Sequence, residues 1–161
     1  MRTKRLLVLG IVATLLTAPL RAGPAAAEDA KGEFHFTVEG DWPVAELSGD
    51  SAWVYDMAGF FHIGLDGKDG ERWVILDINK NGKERPTVGT HRLGMGISSY
   101  RATLEIYNDD DSTVLFNGGE FEITSANDNG MEGRFELTSS GVIGPKLTVR
   151  GTFKANERKM N

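Results

Sequence analysis

Apolar and polar residues alternate through most of the chain. Phe34, Phe36 and Val38 alternate with His35 and Thr37. Phe61, Ile63 and Leu65 alternate with His62 and Gly64, and Val74, Leu76 and Ile78 with Ile75 and Asp77. The same two-residue period runs through Ala102–Ile106, Val114–Phe116, Phe121–Ile123, Phe135–Leu137 and Leu147–Phe153. A period of two places one set of side chains on one face of an extended strand. Trp53-Val54-Tyr55 is a further apolar run. The predicted structure is therefore eight or nine short strands. The last three carry a polar phase and have one wet face. The strand at 73–78 is apolar on both phases, so it is central or covered.

Turn residues separate these strands. Asp66 to Gly70, Asn117-Gly118-Gly119, Asp128-Asn129-Gly130 and Gly141 to Pro145 are breaks. Asn81-Gly82 is a hairpin dipeptide, since both central positions of a type I′ turn need positive φ. A short helical turn around Pro43 to Leu47 is the single helical expectation. Short strands with turns this frequent indicate one antiparallel β-sandwich, with a flattened β-barrel as the alternative.

The first residues change the picture. Arg2, Lys4 and Arg5 precede an apolar run from Leu6 to Leu20, and Ala25-Ala26-Ala27 supplies small residues for cleavage. This reads as a signal peptide over 1–27, too short for a membrane span. The expected mature chain is exported, periplasmic or extracellular, with a domain over 28–155 and a polar tail over 156–161. The peptide carries four positive charges and no acid, so its removal takes the formal net charge from −5 to −9. Such a domain is not expected to bind nucleic acid. With 0 Cys there is no disulfide framework and no thiolate chemistry.

"FHFTVEGDWP", "GTHRLG", "GGEFEITSANDNGMEGRFELTSS" and "LTVRGTFKAN" together span most of residues 33–155. Their order resembles the DUF6252-type group of exported bacterial β-sandwich proteins. The resemblance implies export and a β-sandwich. It implies no established activity and carries over no functional residue. The chain departs from the pattern in lacking a lipobox cysteine and in placing His91 where an aromatic is usual.

Candidate chemistry is sparse. Asp77, Asn79, Asn81 and Gly82 have the spacing that opens a calcium loop. Val88 stands where the bidentate Glu belongs, and Lys80 and Lys83 flank the stretch. The hairpin explains these residues more simply, so calcium is a secondary expectation and no other cofactor is implied. Asp109-Asp110-Asp111 reads as a solvated turn. His35, His62 and His91 lack ligand spacing and are expected to be hydrogen-bonded strand residues. There is no G-x-S-x-G. Glu120, Glu122 and Glu136 form a row that Arg134 and Arg150 should offset. Gly133 and Gly151 fall on the inward phase and leave room for a ring such as Phe121 or Phe135.

The aromatics remain. Trp42, Trp53, Tyr55 and Trp73 cluster in the first half, and Trp53 and Tyr55 share a strand face. Trp53, Tyr55 and Trp73 are the candidate ligand surface. The expected function is a non-catalytic binding or structural module of the cell envelope, for carbohydrate or another envelope component. A lipocalin-like small-molecule carrier is the alternative, and a hydrolase ranks last.

Overall fold

The computed structural model describes residues 31–107 and 112–158. The expected signal peptide and the acidic run Asp109 to Asp111 lie outside these residues. The described chain forms eleven strands and no helix. They are β1 (Glu33–Gly40), β2 (Glu46–Gly49), β3 (Ala52–Met57), β4 (Phe60–Asp69), β5 (Arg72–Asn81), β6 (Gly89–Arg92), β7 (Arg101–Tyr107), β8 (Ser112–Phe116), β9 (Gly118–Asn127), β10 (Gly130–Thr138) and β11 (Leu147–Glu157). The all-β reading of the alternation holds.

The strands make one hydrogen-bonded sheet in the order β6-β9-β10-β11-β3-β4-β5-β7-β8, with β1 on β11 and β2 on β1. β11 is the branch point. β10 lies along one of its edges. Its other edge takes β1 antiparallel over Leu147 to Lys154, then β3 in parallel at Asn156 and Glu157. Inward side chains from both halves meet in one cluster, from Phe36 of β1 to Phe61 of β4, Phe116 of β8 and Phe121 of β9. A flat sheet cannot bring strands so far apart in order onto a common core. The sheet is therefore curled and open, a half-barrel filled by its own side chains.

Two glycines allow the tight centre. A Cβ on Gly151 would sit 2.7 Å from the Phe135 ring, and one on Gly133 would sit 2.8 Å from the ring of Phe153. Phe135 is one of the rings expected there, and Phe153 is the ring that lies over Gly133. The wet face also matches its expectation. Arg134 bonds Glu122 at 2.6 Å, and Arg150 bonds Glu136 at 2.9 Å and Glu39 at 2.6 Å.

Four local expectations need correction. Asn81-Gly82 is not a hairpin turn, because β5 pairs with β4 and β7 while the next strand, β6, pairs with β9. Gly82 does take a positive φ of 96°. It uses that freedom to exchange backbone hydrogen bonds with Gly59 and Phe61. The helical turn at Pro43 to Leu47 is instead the approach to β2, whose Leu47 pairs with Phe36. The break expected at Asn117 to Gly119 is narrower, since β8 runs into β9 with only Asn117 between them. The polar stretch from Asn156 is strand as far as Glu157. Glu157 is held by both guanidinium nitrogens of Arg85, at 2.6 and 2.7 Å.

Candidate functional site

The outer face of β3, β4, β5 and β7 is a grid set by strand register. One row runs Trp53, Gly64, Asp77, Thr103, and the next Tyr55, His62, Asn79, Arg101. On the other side of the first row, Asp66, Ile75 and Glu105 align, then Lys68, Trp73 and Tyr107. The two-residue period turns all of these outward. Three strands thus bring Trp53, Tyr55 and Trp73 together. They border a groove of about 220 Å³ with Gly64, Asp66, Ile75 and Arg158.

Gly64 makes the hollow. It stands in a central strand between Trp53 and Asp77 and contributes no side chain. A Cβ there would lie 3.1 Å from the Tyr55 ring, so the tyrosine lies across bare backbone. On its other side Tyr55 stacks on His62, with ring centroids 4.8 Å apart and planes 4° from parallel. Burial, and then the charge of Asp77, push the Tyr55 phenol up to about 12.

The polar groups of the face are fixed by one another. The Trp53 indole N–H donates to Ser51 Oγ at 2.8 Å, and Ser51 Oγ donates to Asp66. His62 Nδ1 donates to Asp77 Oδ1 at 3.0 Å, and Asn79 Nδ2 donates to Asp77 Oδ2 at 2.6 Å. Lys68 Nζ lies over the Trp73 ring at 5.4 Å, and the Arg158 guanidinium over the Trp53 ring at 5.4 Å. Trp73 is 36% exposed, while Trp53 and Tyr55 are half-buried. The walls are therefore held rigidly while each ring keeps part of its surface open to a ligand.

The calcium candidates Asp77, Asn79 and Asn81 occupy successive same-phase positions of β5, an extended strand rather than a loop that wraps an ion. Both carboxylate oxygens of Asp77 already have partners. Among the described residues no group of three or more His, Cys, Asp or Glu is placed to hold a metal. His35 bonds Ser48 at 2.9 Å, and His91 bonds the Thr87 carbonyl at 2.7 Å. The three histidines stand apart, each hydrogen-bonded. Glu120, Glu122 and Glu136 line a second, wider hollow on the wet face, and each sits against an arginine.

Sequence reasoning found three of the groove residues and missed Met57, Gly64, Asp66, Ile75 and Arg158. Gly64 had a signal, since a glycine on the polar phase of an otherwise well-patterned strand marks a close approach. Asp66 stood inside what looked like a turn. Arg158 reaches the groove only because β11 runs beside β3, which no local pattern encodes.

No family model matches the chain, and neither a curated protein nor a solved structure matches it.

Proposed function

We propose that the protein is a non-catalytic binding module, exported to the cell envelope, that takes a carbohydrate on the groove between Trp53, Tyr55 and Trp73. The observation that carries this reading is the convergence of those three aromatics, from β3 and β5, around a hollow that Gly64 of the intervening β4 opens. Rigid aromatic walls beside a few fixed polar groups are the makeup of a small-molecule site. Sugar rings offer C–H faces to the aromatics and hydroxyls to Asp66.

Two further features support a binding face over the other readings. Apolar side chains fill the inside of the half-barrel, which leaves the carrier reading little support. The acids Glu120, Glu122 and Glu136 of the wet face are tied to Arg92, Arg134 and Arg150, which gives a hydrolase little support there. The same reading takes the curled sheet as a flattened barrel whose outer surface is the working surface.

The test is a titration of intrinsic tryptophan fluorescence with envelope-type oligosaccharides. Trp53→Ala and Trp73→Ala should each weaken binding about tenfold or more, as loss of an anchoring aromatic does. Trp42→Phe should leave it unchanged, because Trp42 packs against the core. Equal affinities in all three variants would remove the basis of the reading.

A further inference from the structure

Arg158 is unlike the other polar groups of the groove. Asp66 is tied to Ser51, and Asp77 to His62 and Asn79. The Arg158 backbone N–H is fixed to the Val54 carbonyl at 2.8 Å, which anchors the residue beside β3. Its guanidinium lies over Trp53 and is exposed. Among the described residues no carboxylate pairs with it. This contrasts with Arg85, Arg92, Arg134 and Arg150, each of which has an acid partner. An unpaired guanidinium beside aromatic walls presents a planar fork of donors to whatever enters.

We infer that the groove selects an anionic saccharide, with a ring carboxylate of a uronic acid seated on the Arg158 guanidinium while the sugar face lies against Trp53 and Trp73. The inference rests on the binding reading above and adds the charge of the ligand. A carboxylate accepts two parallel N–H bonds from a guanidinium, which gives geometry as well as charge. The chain's net negative charge would repel an anion at long range. Recognition therefore depends on local contact; Lys68 sits over Trp73 at the edge of the face, and Arg158 is the cation among the residues that line the groove.

The experiment uses residues 28–161 and trisaccharides of galacturonic, glucuronic and mannuronic acid, each paired with its methyl ester. The ester keeps the ring and removes the charge. Binding is read from the indole N–H resonances of Trp53 and Trp73. At least one acid should bind about ten to a hundred times more tightly than its ester, the range expected for a charge-assisted hydrogen-bonded pair. In Arg158→Gln the acid and its ester should bind alike, with an unchanged melting midpoint showing that the fold is kept. Equal binding of acids and esters to the wild type would overturn the anionic preference and leave the groove as a neutral-sugar site. An acid preference that survives in Arg158→Gln would overturn the role of Arg158. If neither the acids nor their uncharged esters move the two resonances, the groove reading itself falls.

Discussion

Gly64 and Tyr55 carry the finest detail of the groove. The tyrosine lies flat because the glycine opposite has nothing to push it away, and that posture buries the phenol between Gly64 and His62. Burial, reinforced by Asp77, disfavours the phenolate. Below pH 10 the tyrosine is protonated in both folded and unfolded chains, so its share of stability is fully present. Between pH 10 and about 12 the unfolded chain loses the proton first, and that share declines. The melting midpoint should fall over that window more steeply in the wild type than in Tyr55→Phe. Parallel curves for the two proteins would show that the phenol is not buried as described. Pairing Trp53 with Tyr55 needed only the two-residue period, so that much was legible in the sequence. Joining them to Trp73 required the register of three strands, and register between strands is not a local property.

Strands explain what local patterns misjudged. "DINKNG" carries the residues of a turn, yet β5 runs straight through Asp77 and Asn79 to Asn81. Two long neighbours, β4 and β7, hold it extended, and tertiary pairing overrides turn preference. With Asp77 committed to His62 and Asn79, millimolar calcium against EDTA should leave the melting midpoint in place. A rise of several degrees, lost in Asp77→Ala, would make the stretch an ion site after all. The inward glycines of β10 and β11 were read correctly because a gap in a clean apolar phase has few causes. A Cβ on Gly151 would meet the His35 carbonyl oxygen at 2.4 Å and Phe36 Cβ at 2.6 Å, as well as the Phe135 ring. Overpacking of this kind costs about 1–3 kcal/mol. Gly151→Ala should therefore lower the melting midpoint by several degrees, measured by circular dichroism, and an unchanged midpoint would contradict the packing described for β1, β10 and β11.

At the scale of the molecule, the alternation specified an all-β chain but not how its strands join. Whether two sheets stay separate or become one depends on β11, which takes β1 and then β3 along a single edge. That two-residue parallel junction at Asn156 and Glu157 has no signature in the sequence, and the polar residues there read as a tail beyond the domain. The Arg85–Glu157 pair holds the junction, across a separation in sequence that no short motif spans. The consequence is a molecule with two different outer faces. One is a ladder of paired arginines and glutamates. The other gathers the aromatics, with Arg158 over Trp53 and Lys68 over Trp73. Binding by the second face is the central claim, and the chain's three tryptophans report on it directly. A two-dimensional spectrum of the indole N–H groups during titration with an acidic oligosaccharide mixture separates them. The account predicts that Trp53 and Trp73 shift together and saturate while Trp42 stays still. Movement of Trp42 alone, or no movement of any of the three, would contradict it.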